Sequence, residues 1–242
     1  MISSNVSYDS ILEELKNQET GQRTLILPDT FLIKVPKFKH RIGNSYLIQH
    51  INRKEILLID TVHEDSQPIL QDFIKNGYSV AGLLLTHSDL IHQSYTSSLE
   101  KLSKDLGDTS IYIHPLDAGS QGNFANNILE ANEVFDKFSI TVDHFPGHTG
   151  GSVIIHSEIN NGMLFCGDSA VGAPYDSSNY YFERPPISNE SQDLGLAQHW
   201  KNYIKPFKHI LPLHGKPQFD LSEGQQKDII IHLSKNEPTK HL

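Results

Sequence analysis

The sequence predicts an α/β or α+β fold. Short apolar runs that read as strands recur along the chain, bounded by turn residues. Between them lie segments whose apolar residues recur at helical spacing, such as Leu99, Leu102 and Leu106. Strands interleaved with helices belong to a layered architecture in which helices cover sheets. The 242 residues suit one large domain or two small ones and can bury a sizeable core.

Taken in order, a short amphipathic helix is expected over 10–16, with Ser10 and Glu13 spaced as a capping box. Strands follow at 24–27 and 31–35. Segments 46–51 and 55–59 form a hairpin across Asn52-Arg53-Lys54. Pro68 and Gly77 bracket a helix that carries Ile69, Leu70, Phe73 and Ile74. Residues 80–86 form the central strand, and the helix of Leu99, Leu102 and Leu106 stops at Gly107. Further strands are expected at 111–114 and 139–142. Strands 153–156 and 163–166 flank Asn160-Asn161-Gly162, a strong hairpin signal. A helix over 193–203, a strand over 209–213 and a closing helix over 223–234 complete the chain. The polar stretch 172–190 interleaves proline and aromatic residues and reads as a long loop over the site, mobile or covering a pocket. Within it Tyr180, Tyr181, Phe182 and Arg184 either line a substrate pocket or pack the loop.

Composition narrows the functional classes. The formal charge is −9 and basic residues are scattered, which argues against a nucleic-acid partner. Five basic residues (Lys34, Lys37, Lys39, Arg41 and Arg53) are separated by hydrophobic positions and read as a solvated strand face. The single cysteine, Cys166, excludes a disulfide framework within the chain and suits a reducing compartment; on a buried strand it reads as inert packing. No signal-peptide pattern and no run near the ~20 apolar residues of a membrane span are present. The expectation is a cytoplasmic protein acting on a small molecule without membrane or nucleic-acid partners, with a homodimer allowed. Of 14 histidines, His40, His50, His63, His156, His199, His209, His232 and His241 fit no ligand pattern.

Several strand-like runs stop at a turn bearing His or Asp. They are Leu57-Leu58-Ile59-Asp60-Thr61, the run ending Thr86-His87-Ser88-Asp89-Leu90-Ile91-His92, Pro146-Gly147-His148-Thr149-Gly150-Gly151-Ser152, Phe165-Cys166-Gly167-Asp168 and Leu213-His214-Gly215. In order and spacing these segments resemble the five motifs of the metallo-β-lactamase superfamily, from about Asn44 to Gly215. That resemblance implies one domain spanning 1–242 and a four-layer αββα sandwich of two mixed sheets, with a metal site at one edge.

The second motif departs from the family's Thr-His-x-His-x-Asp-His: Asp89 stands for the second His and Ile91 for the Asp. Carried over residue by residue, the first metal site has His87 and His148 with Asp89 at the altered position. The second keeps His92 and His214 but has no carboxylate at Ile91, and Asp168 is placed to bridge. Asp60 falls where the family's Asp supports the site by hydrogen bonds. The candidate ligands are therefore His87, Asp89, His92, His148, Asp168 and His214, with Asp89 and Asp168 as candidate catalytic carboxylates.

Since Ile91 has no lone pair, one divalent ion per chain is expected, held chiefly by His87, His148 and Asp168. Imidazole and carboxylate donors suit zinc first, with iron or manganese as alternatives. The function implied is hydrolysis of a small ester, thioester or lactone through a metal-activated water. Two alternatives stand beside it. The two-His-one-carboxylate set is also that of a mononuclear iron thiol or persulfide dioxygenase of this superfamily. A catalytically silent ligand-binding protein on the same fold is the third.

Overall fold

The computed structural model describes residues 7–36, 43–94, 96, 98–130 and 133–236. Lys37, Lys39, His40, Arg41 and His241 lie outside the described residues. The first sheet takes its strands in sequence order: β1 (Arg23–Leu27), β2 (Thr30–Val35), β3 (Gly43–His50), β4 (Glu55–Ile59), β5 (Ser79–Leu84), β6 (Ile111–Ile113) and β7 (Asn126–Asn127). β1 to β4 pair antiparallel, and β4 to β7 pair parallel. The second sheet has the order β13-β10-β9-β8, from β8 (Ile140–His144), β9 (Val153–Ser157), β10 (Met163–Gly167) and β13 (His209–Pro212). Only the β10–β13 pairing in it is parallel. A ribbon of β11 (Val171–Gly172) and β12 (Phe182–Glu183) stands apart.

The period of two along each strand sorts side chains into layers. Leu57 and Ile59 of β4 join Val153, Ile155, Met163 and Phe165 in the core between the sheets. Ile56 and Leu58 face the other way, into a cluster with Ile69, Leu70 and Phe73 of α2 (Gln67–Lys75) and Leu99 and Leu102 of α4 (Leu99–Asp105). Ile154, Leu164 and Cys166 face outward on the second sheet, under Leu196 and Trp200 of α7 (Glu190–Asn202) and Ile229 and Leu233 of α8 (Glu223–Leu233). Three apolar layers between two sheets and two helical coats make the αββα sandwich. Ile11 and Leu15 of α1 (Tyr8–Asn17) and Phe135 of α6 (Glu133–Lys137) also pack on the central core.

Several details correct the sequence reading. The cap of α1 is Ser7, whose side chain accepts from the Ser10 N–H; Ser10 sits inside the helix, and Glu13 instead accepts from the Asn17 side chain. Ile51 belongs to a 3₁₀ turn over Ile51–Arg53 rather than to the end of a strand, and Lys54 closes that turn in the left-handed region (φ 55°). Lys34 does not belong to a solvated face. It is 1% exposed, its Nζ lies 3.3 Å from the Gln18 carbonyl and 4.1 Å from the centre of the Tyr175 ring. The β9–β10 hairpin forms as expected, with Asn160 and Asn161 both at positive φ.

Parallel pairing sends the C-terminal ends of β4, β5 and β6 to one edge, and those of β10 and β13 to the same edge of the partner sheet. The loop between β8 and β9 opens there too. That edge carries Asp60, His87, His148, Asp168 and His214.

Candidate metal centre

His87 lies three residues beyond β5 and is 1% exposed. Its orientation is built from Asp60, just beyond β4. The Asp60 carboxylate accepts the Thr86 N–H at Oδ1 and the Thr86 hydroxyl at Oδ2, both at 2.8 Å. With its proton committed to Asp60, Thr86 Oγ1 offers a lone pair to His87 Nδ1, 3.0 Å away. The Nδ1–H tautomer follows, and the Nε2 lone pair is left for the site. Burial pushes Asp60 up to about 7 against these two hydrogen bonds, with Asp168 repelling it further. Burial likewise pushes the His87 imidazole down to about 4, so it stays neutral.

Asp168 is the hub. Its Oδ2 lies 3.7 Å from His87 Nε2, 3.6 Å from His148 Nε2 and 3.4 Å from His214 Nε2. Asp89 Oδ2 lies 3.4 Å from the same His148 nitrogen. Burial works against the Asp168 carboxylate, but His214, His87 and His148 outweigh it and hold the carboxyl well below the usual range. Asp89 is held down chiefly by His148. Burial opposes the His148 cation, yet Asp89, Asp168 and Asp117 together pull that imidazole up.

The donor atoms of His87, His148 and Asp168 all lie within 4.8 Å of one another. His87 Nε2, His148 Nε2 and Asp168 Oδ1 are buried and make no hydrogen bond. Folded proteins rarely bury polar atoms bare. The two bare imidazole nitrogens meet the Asp168 carboxylate from two sheets; these donors together fit a divalent cation, and two imidazoles with one carboxylate suit zinc, iron or manganese.

Of the six candidate ligands, the fold brings together His87, Asp89, His148, Asp168 and His214. His92 is not with them: it is exposed on α3 (Asp89–Gln93) and pairs with no carboxylate among the described residues. Ile91, 5% exposed, belongs to the apolar cluster under the first sheet's helices. Asp89 has about half of its side chain in solvent. Cys166 is fully buried, burial pushes its thiol up, and it packs as expected.

His214 is placed by a clamp the sequence did not advertise. The Asn44 side chain donates to the carbonyls of Pro212 (2.9 Å) and Gly215 (2.7 Å), and the Asn44 N–H donates to Leu213 O. The Tyr175 hydroxyl donates to Asn44 Oδ1 at 2.9 Å. Gly215, at φ 87°, lets the chain pass Gly172: a Cβ there would lie 2.0 Å from the Gly172 carbonyl oxygen. A cavity of about 600 Å³ opens beside His214, walled by Val171, Pro174, Tyr175, Asp176 and Tyr181. The 172–190 stretch thus covers a pocket, but as an anchored wall. Tyr181 faces the cavity, whereas Phe182 and Arg184 are buried, Arg184 paired with Asp193 at 2.7 Å.

No family model matches the chain. Among solved structures, the DIM-1 metallo-β-lactamase superposes with a TM-score of 0.63 at 18% identity, covering 88% of this chain and 96% of that one. The chain has the metallo-β-lactamase fold. The same fold relates it to ETHE1 from Myxococcus xanthus, with a TM-score of 0.61, 15% identity and 84% of each chain covered. In sequence, the chain is 29% identical over 140 residues to the hydroxyacylglutathione hydrolase of Aeromonas salmonicida. That match takes in 57% of this chain and 50% of the relative, so the metallo-β-lactamase-fold chain spans about half of the curated relative's length.

Proposed function

We propose that the protein is a metal-dependent hydrolase of a small ester, thioester or lactone. The observation that carries this reading is the convergence of the bare His87 and His148 nitrogens on the Asp168 carboxylate, which His214 joins to the cavity it lines. A divalent ion bound there would supply Lewis acidity and would lower the pKa of water from ~15.7 to about 7. His87, His148 and Asp168 would hold it, with His214 in reach through Asp168. Asp89, ionised and half in solvent, is placed to take the proton of an attacking water. The wall of Val171, Pro174, Tyr175 and Tyr181 accepts the acyl chain or the leaving group. A thioester is supported by the relative's printed activity, hydrolysis of a hydroxyacyl group carried on glutathione. No helix is long and apolar enough to cross a membrane among the described residues, and the lone buried Cys166 suits work in a reducing cytoplasm.

The test is hydrolysis of a panel of S-acyl thioesters, aryl esters and lactones by zinc-loaded protein, with His148→Ala as control. Turnover lost in the control supports the reading; equal turnover in both contradicts it. The His-His-Asp donor set supports a second reading, a mononuclear iron thiol or persulfide oxygenase. Thiol-dependent oxygen uptake by iron-loaded protein, without hydrolysis of the panel, would favour it. Neither activity in a loaded protein favours a silent ligand-binding pocket.

A further inference from the structure

Asp117 lies on α5 (Pro115–Ala118), the short helix after β6, and is 8% exposed. Its carboxylate meets both histidine loops. Oδ2 accepts the Ser88 N–H at 2.9 Å, one residue beyond His87, and the Thr149 hydroxyl at 2.5 Å, one residue beyond His148. Oδ1 accepts the Gly151 N–H at 2.8 Å. The fit is close: a Cβ on Gly151 would sit 2.6 Å from Asp117 Cγ. Thr149 is locked in turn, because its N–H donates to Ser152 Oγ at 2.9 Å and the two hydroxyls lie 2.7 Å apart.

His87 follows a strand of the first sheet, and His148 sits in a loop of the second. Their rings meet edge to face with centroids 4.9 Å apart. We infer that Asp117 is a positioning residue that holds the His87 and His148 loops in register so that both imidazoles reach one ion. The inference rests on the metal reading above. Only an ionised carboxylate satisfies all three donors, since it is acceptor on both oxygens. Asparagine keeps the shape but turns an NH₂ group toward an N–H or O–H donor. A backbone bond from the Val153 N–H to Thr86 O (2.9 Å) also ties the two loops. It survives the substitution, so the fold is expected to persist while the register loosens.

The experiment compares parent, Asp117→Asn, Thr149→Val and the surface control Asp143→Asn as full-length chains. Cobalt(II) affinity is read by competition titration, the cobalt d–d spectrum reports ligand geometry, and circular dichroism checks the fold. Asp117→Asn should bind cobalt about 10- to 100-fold more weakly, the range for loss of a ligand-orienting partner, with a changed spectrum. Thr149→Val, losing one of three bonds, should fall between it and the parent, and Asp143→Asn should match the parent. A folded Asp117→Asn with parental affinity and spectrum overturns the inference while leaving the metal reading standing. If Asp117→Asn does not fold, Thr149→Val decides, and parental binding there overturns it. A parent that binds no cobalt overturns the metal reading and this inference with it.

Discussion

Ile91 is 5% exposed and packs in the apolar cluster that also holds Leu90, Val35 and Leu213. A carboxylate there would be buried without a partner, because His92 faces solvent. Ile91→Asp should therefore cost about 3 kcal/mol or more in urea unfolding. Combining it with Asp89→His rebuilds the motif on paper, yet metal content should stay near one ion per chain. Two ions in the folded double variant would contradict the placement of His92 described above. A different histidine carries a pH dependence. His209 is held neutral from both sides: its Nε2 lies 3.0 Å from Asn160 O, and its Nδ1 accepts the Asp220 N–H. Burial pushes it down to about 4. Between that value and the ~6.5 of an unfolded chain, the unfolded state binds the extra proton, so stability is present above ~6.5 and is lost as pH falls toward 4. Denaturation midpoints across that window should fall in the parent and fall less in His209→Gln; identical slopes would refute the assignment.

At the scale of elements, the wall over the cavity is pinned by two lysines. Lys216 Nζ donates to Ser177 O at 2.6 Å and lies 4.0 Å from the centre of the Tyr180 ring, while Lys34 lies on Tyr175. Such contacts on a desolvated ammonium contribute roughly 0.5–2 kcal/mol each. The segment 173–181 should thus resist limited proteolysis in the parent, and Lys216→Met should speed its cleavage several-fold. Ready cleavage of the parent at that segment would show that the wall is a loose lid. This anchoring was not legible in the sequence, where proline, serine and aromatic residues in a polar stretch look like any exposed loop. The strands and helices were legible, because periods of two and of about 3.6 survive in their apolar positions. Their ends were not, since Ser7 caps α1 through a contact that Ser10 imitates in spacing.

For the molecule as a whole, the two-sheet architecture explains which parts of the site could be read in advance. His87, Asp168 and His214 each follow an apolar strand, so the run of apolar residues points to them. Asp117 and Asn44 act on residues far along the chain, Asp117 on positions 29 to 34 away and Asn44 on carbonyls 168 and 171 away. Spacing carries no trace of such contacts. His92 matched its motif yet faces solvent, because α3 spends its inward positions on Leu90 and Ile91. The central proposal is one divalent ion shared by His87, His148 and Asp168, donors from both sheets. Elemental analysis of chelator-free protein tests this most directly. The parent should hold about one zinc, iron or manganese ion per chain, His63→Ala should keep it and His148→Ala should lose it. A metal-free parent after growth and dialysis with supplied metal, or unchanged content in His148→Ala, would contradict it.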